Sequence, residues 1–103
     1  MNVIEVNKDN FEEEVIKSEK KVLADFNADW CGPCKMLSPI IEEIASEVKD
    51  IKVVSINIDN EDVLAEDYNT SSIPCLVLFD KGKEVKRNVG LMSKDDIKAF
   101  IGE

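Results

Sequence analysis

The sequence predicts an α/β fold with helices on both faces of a sheet, and three observations carry that expectation. Strand-like and helix-like segments follow one another in the order β-α-β-α-β-α-β-β-α, the pattern of a layered α/β sandwich. The segment Val22-Leu23-Ala24-Asp25-Phe26 is almost wholly apolar, as a central strand covered on both faces would be. The chain of 103 residues, 44% hydrophobic and 34% charged, has a globular composition. A chain of that size buries roughly two-thirds of its unfolded surface, enough for one core without staples. There is no internal repeat, low-complexity segment or Pro/Gly/Ser-rich linker, so residues 1–103 read as a single domain.

Each element has its own signal. Val3 to Val6 is a short strand. Asp9-Asn10-Phe11-Glu12 has the form of an N-cap with an acidic residue three positions on, opening a helix with Phe11, Val15 and Ile16 facing inward. After the apolar strand comes Trp30-Cys31-Gly32-Pro33-Cys34, then a long helical pattern of Leu37, Ile41, Ile44, Ala45 and Val48. Pro39 lies inside it and predicts a kink rather than a stop. Ile51 to Ile58 is rich in β-branched residues and reads as a strand. Asn60 is positioned to cap a short helix carrying Val63 and Leu64. Leu76 to Phe79 and Glu84 to Val89 form a hairpin pattern around a turn at Gly82. Ser93 caps a final helix with Ile97, Phe100 and Ile101 on one face.

Composition excludes several functions. Thirteen basic against twenty-two acidic residues give a net charge of −9, which repels phosphate backbones and argues against nucleic-acid binding. The absence of histidine removes Ser-His-Asp and Cys-His catalysis and His-ligated metal sites. Three cysteines are too few for a disulfide-dense secreted scaffold, and an odd number leaves a thiol unpaired. The start, Met1-Asn2-Val3-Ile4-Glu5-Val6, has no signal-peptide pattern, and the longest apolar run, Cys75 to Phe79, is far short of a membrane span. A reducing cytoplasm is the expected compartment, and a close cysteine pair there points to catalysis or metal binding.

The sharpest signal is Cys31-x-x-Cys34 between a buried strand and a helix. The pair falls in the helix's first turn, where backbone N–H groups lack partners and the macrodipole is positive. A thiolate is stabilised there, and thiolate is the attacking species in thiol–disulfide exchange. Cys31 is therefore the expected nucleophile and Cys34 the resolving thiol. Gly32 lets a partner backbone approach, and Pro33 sits where an N–H would go unused. A zinc or iron–sulfur site needs four ligands, and three cysteines without histidine supply no ordinary set, so no metal is expected. The spacing and compartment also disfavour an inert structural pair.

The run Ala24-Asp25-Phe26-Asn27-Ala28-Asp29-Trp30-Cys31-Gly32-Pro33-Cys34-Lys35 resembles the active-site segment of the thioredoxin family. The resemblance continues through Pro39, Asn57-Ile58-Asp59, Ser72-Ile73-Pro74 and Val89-Gly90, and so covers essentially the whole chain. It implies the thioredoxin fold, a mixed five-stranded sheet flanked by four helices. It also implies a protein-disulfide reductase and dithiol electron carrier, regenerated by a thioredoxin reductase, acting on disulfide-containing target proteins and needing no bound cofactor. A monomer is the default. The rival readings are an oxidant or isomerase, and a binding or assembly subunit that uses the same surface without turnover.

Supporting residues carry two readings each. Asp25 interrupts an apolar strand, where desolvation raises a carboxyl pKa toward neutrality; the alternative is a strand-end carboxylate reaching water, and the residues alone leave the two comparable. The resemblance makes Asp25 the acid/base serving Cys34. Two positions depart from the family: Ser55 stands where many members have a lysine, and Asn27 where an aromatic is common. Without the ammonium, the Asp25 pKa is expected to be higher still.

Only about 5–6% of X–Pro bonds are cis, so sequence alone favours trans at Ile73-Pro74. The resemblance implies cis, with the Ile73 backbone pairing to a substrate strand. It also implies an apolar groove around Cys31 rimmed by Trp30, Ile58, Ile73, Gly90 and Leu91, residues otherwise read as core or turn. Cys75 stands where the family usually has threonine, close to Cys31. It is either a small half-buried residue, the favoured reading because burial makes a thiol inert, or an extra redox thiol. Glu12-Glu13-Glu14 and Glu42-Glu43 read as solvated helix faces, and Lys35 as an exposed lysine near the thiolate.

Overall fold

Five strands build the sheet: β1 (Val3–Glu5), β2 (Lys21–Asn27), β3 (Ile51–Asn57), β4 (Cys75–Asp80) and β5 (Lys83–Val89). They stand in the order β1-β3-β2-β4-β5. The β1–β3 and β3–β2 pairs are parallel, whereas β4 runs antiparallel to both β2 and β5. Between them lie a π-helical segment (Glu12–Ile16), α1 (Gly32–Glu47), α2 (Asp62–Asp67) and α3 (Lys94–Phe100). This computed structural model describes residues 2–102; Met1, part of the N-terminal reading, and Glu103 lie outside the described residues. The expected mixed five-stranded sheet with four helices is what forms.

Period-2 alternation divides the core between the two faces. On one face Ala24, Phe26, Val54, Ile56, Cys75, Val77 and Phe79 meet Phe11 and Val15 of the π-helical segment and Leu64 of α2. On the other, Leu23, Val53, Leu76 and Leu78 meet Leu37, Ile41 and Ile44 of α1 and Ile97 of α3. β2 is buried from Val22 through Phe26, which explains its nearly unbroken apolar run. Lys94 links α3 to α1 through Glu43 and Glu47, and Lys98 adds a bond to Glu47.

Two caps differ from expectation. Asp9 does not cap the first helix: the Asn7 side chain accepts the N–H groups of Asp9 and Asn10 at 2.8 and 3.1 Å, an Asx turn that feeds the chain in one step earlier. The Lys17 N–H then bonds the Glu12 carbonyl, giving π rather than α winding. Asn60 likewise caps nothing. Glu61 holds the N-cap position of α2 without a side-chain bond, and Val63 is exposed. Ser93 does cap α3, accepting the Asp96 N–H at 3.1 Å. α1 continues through Pro39. At the β4–β5 turn Lys81 and Gly82 both have positive φ, and a Cβ on Gly82 would stand 2.8 Å from the Ile16 carbonyl oxygen, so only glycine fits.

Candidate active site

The strand β2 delivers the chain to Cys31, which is the N-cap of α1 in an extended conformation. Its Sγ accepts the Cys34 N–H at 3.2 Å, taking the place that a serine or aspartate oxygen takes in an ordinary cap. Gly32 and Pro33 fill the first helical turn, where the missing N–H of Pro33 costs nothing. Both are exposed, and nothing lies within 4 Å of where a Gly32 Cβ would be, so this side of the pair is open. Cys31 and Cys34 are joined as a disulfide with Cα atoms 5.2 Å apart. In the reduced pair the same N–H and the positive end of a sixteen-residue helix favour a Cys31 thiolate.

Around the disulfide the structure gathers Ala28, Ile58 and Ile73 into one small apolar cluster. The Ile73–Pro74 bond is cis, and the Gly90 N–H donates to the Pro74 carbonyl at 2.8 Å, which ties the β5 exit to the proline loop. Trp30 is 67% exposed and Leu91 46%, so two large apolar side chains stand in solvent. The Trp30 indole N–H donates to Asp59 Oδ2 at 2.7 Å, and Asn57 holds the Asp59 N–H at 2.9 Å. Sequence reasoning gave Asp59 no role here; that bond joins residues far apart in the chain and leaves no local signal.

Asp25 is 4% exposed, and its Oδ1 has no hydrogen-bond partner. Burial pushes its carboxyl up to about 7, the Asn27 amide opposes the rise, and the Glu5 charge adds to it. Asp25 stands inside β2 rather than at its end, and little of its surface is exposed. Asp25 lines a cavity of about 440 Å³ together with Cys34, Asn27, Ser55 and Glu5. Register places Ser55 directly beside Asp25 across the β2–β3 pair. The Asn27 Nδ2 donates both to Ser55 Oγ and to the Asp25 backbone carbonyl, each at 2.9 Å. The two departures from the family pattern are thus bonded to each other. Glu42, expected on a solvated face, is half-buried on the wall of this cavity.

Cys75 belongs to a different core cluster from the Cys31–Cys34 pair, although Ile58 and Ile73 pack against both. Its side chain is fully buried among Phe26, Val77 and Phe79, on the sheet face opposite the one that carries Asp25. Burial raises its thiol pKa, with the Arg87 guanidinium opposing. It is the free cysteine.

A family model described as thioredoxin matches residues 2–103. A thioredoxin of Chlamydia trachomatis is 44% identical over 98 residues, covering 95% of this chain and 94% of the relative. One of Acidithiobacillus ferridurans is 46% identical over 100 residues, covering 96% and 93%. One of Pyropia yezoensis is 40% identical over 104 residues, covering 100% and 97%.

Proposed function

We propose, from the premise that this chain belongs to the thioredoxin family and is a protein-disulfide oxidoreductase, that Cys31 attacks the target and that Asp25 serves Cys34. The Cys31 thiolate attacks one sulfur of a target disulfide and expels the other as thiolate, giving a mixed disulfide. Cys34 gives its proton to the Asp25 carboxylate, and its thiolate attacks the Cys31 sulfur. The bond from Cys31 to the target breaks, the target leaves as a dithiol after taking up protons, and the Cys31–Cys34 disulfide remains. The observation that carries this reading is the shared cavity, which Cys34 and the buried Asp25 carboxyl both line, the Asp25 Oδ1 having no hydrogen-bond partner.

Trp30, Gly32, Pro33, Ile58, Ile73, Pro74, Gly90 and Leu91 form the surface that receives the target. The apolar side chains shed water on contact, and the Ile73 backbone pairs with an extended target segment. Disulfide-containing proteins are the substrates and a thioredoxin reductase returns the pair to the dithiol. The absence of histidine leaves Asp25 as the buried acid/base beside the pair. The chain works as one domain and a monomer in a reducing cytoplasm. Among the described residues no helix is long and apolar enough to cross a membrane.

The test is dithiothreitol-driven reduction of insulin disulfides by the wild type and by Cys31→Ser, Cys34→Ser and Cys75→Ser. Loss of turnover in the first two variants, with Cys75→Ser active, is the expected result. Retained turnover in Cys31→Ser would overturn the assignment of the nucleophile. An inactive wild type that still binds its partners would favour a binding subunit.

A further inference from the structure

The sheet register sets what the buried Asp25 carboxyl faces. Glu5 is the Cα partner of Ser55 across the β1–β3 pair, and Ser55 is the Cα partner of Asp25 across the β3–β2 pair. Side chains at partnered positions of parallel strands share a face. Glu5, Ser55 and Asp25 therefore form one row across three neighbouring strands. The row lies on the α1 face, because Val3, Val53 and Leu23, two residues earlier on each strand, pack in the α1 core.

All three line the cavity that also holds Cys34. At about 4.8 Å per strand spacing, the two acids are separated by roughly 10 Å, with a hydroxyl between them. Asp25 is buried at one end, its Oδ1 unpartnered, and Glu5 is exposed at the other. Among the described residues, every other charged or titratable group facing this space comes from the β2–α1 connection or from α1: Asp29, Cys34, Lys35 and Glu42. Of these described groups Lys35 is the one cation, it is exposed, and three acids besides Asp25 outnumber it.

We propose that Glu5 is a positioning residue for the dithiol reaction: its carboxylate, at the outer end of the Asp25 cavity, governs when the buried carboxyl takes and returns the Cys34 proton. The inference rests on the acid/base role of Asp25 given above and deepens it. A like charge across a poorly screened cavity disfavours a second carboxylate, so Asp25 keeps its proton to higher pH than burial alone would dictate. Ser55 carries no charge to cancel that field. The cavity is also the path by which a proton leaves Asp25 for water, and Glu5 stands where that path meets solvent. Each half-reaction balances: the proton lost by the Cys34 thiol is gained by the Asp25 carboxylate, then released from Asp25 to water.

Two measurements test this, and their failures are distinguishable. The first is a carbon-13 NMR titration of the Asp25 carboxyl in the oxidised protein, which reads the coupling without turnover, for wild type, Glu5→Gln and Glu5→Lys. Glu5→Gln should lower the Asp25 midpoint by roughly half a pH unit, and Glu5→Lys by about twice as much. An unmoved midpoint in Glu5→Lys, with the protein folded by thermal melting, would overturn the proposal and leave the role of Asp25 standing. The second is the pH profile of insulin reduction, which should shift to lower pH in step with the titration and lose its dependence on residue 5 in an Asp25→Asn background. A persisting dependence in that background would overturn the proposal from the other side, since Glu5 would then act without Asp25. A moved titration with an unmoved activity profile would overturn the acid/base role itself and the proposal with it.

Discussion

Asp25 and Ser55 are Cα partners across the parallel β2–β3 pair, so the buried carboxyl faces a hydroxyl that is already bonded to the Asn27 amide. No ammonium balances the carboxylate from that strand. Burial therefore dominates its behaviour and pushes its pKa up to about 7. A carboxyl poised there is half ionised at neutral pH, the condition under which it both accepts and returns a proton.

That shift makes stability depend on pH. A carboxyl whose folded pKa is raised to about 7 from 3.8 binds more protons in the folded state, so its contribution is full below pH 3.8 and lost as pH rises through 7. About three pH units correspond to a loss on the order of 4 kcal/mol between those limits. Urea unfolding of the oxidised protein at pH 5 and pH 8 spans roughly two-thirds of that loss, on the order of 2.5 kcal/mol. Wild type should be weaker at pH 8, and Asp25→Asn should flatten most of that difference. An Asp25→Asn variant with the wild-type pH slope would contradict the assignment.

Cys75 should behave as core. Fully buried, with its thiol raised by desolvation, it should react with iodoacetamide at least about 100-fold more slowly than Cys31 in the reduced, folded protein. Mass mapping after brief labelling reads the two rates. Cys75→Ser should lower stability by about 1–3 kcal/mol, because a hydroxyl replaces a weakly polar thiol in an apolar cluster. Labelling of Cys75 at the rate of Cys31 would restore the extra redox thiol.

Trp30 is held by Asp59 at 2.7 Å, and it is the only tryptophan in the chain. Asp59→Ala should free the ring, lower its fluorescence anisotropy, and raise KM for a protein disulfide roughly two- to five-fold with kcat little changed. Such a factor matches the loss of one exposed hydrogen bond, about 0.5–1 kcal/mol. An unchanged KM would remove Trp30 from target binding.

Arg87 closes a different link. Its guanidinium donates to both Glu84 carboxylate oxygens, at 2.6 and 2.8 Å, and to the Tyr68 and Asn69 carbonyls at the end of α2. Those carbonyls lack helical partners, and only a fork of several N–H groups serves them together. Arg87→Lys should therefore cost about 1–2 kcal/mol in chemical unfolding, nearly as much as Arg87→Gln. Full retention of stability by lysine would show that charge alone suffices.

Much of this fold is legible in the sequence. The unbroken run of β2, the Gly82 turn and the Ser93 cap each depend on a few adjacent residues, and each formed where read. The caps at Asp9 and Asn60 were misplaced because several Asn and Asp side chains stand within reach of the same helix start. Choosing among them depends on how the chain arrives: Asn7 holds the turn before the first helix, and no side chain caps the helix start itself. Glu5 is a subtler case. It sits two residues after Val3 and so on the same sheet face, which was a signal, but a three-residue strand shows too little alternation to reveal it.

The sequence by itself determined the order of elements, the cysteine pair at a helix start and the one charge inside an apolar strand. All three are written in near-neighbour chemistry: periodicity, capping and the cost of burying a polar group. Tertiary structure alone decided what that charge would face. Strand register brought Glu5, Ser55 and Asp25 into one row, and α1 laid Cys34 against the same cavity. It also turned Cys75 to the opposite face. Electrostatics in a low-dielectric space depends on distances between residues 20 to 50 positions apart in the chain, and only the packed sheet sets those distances.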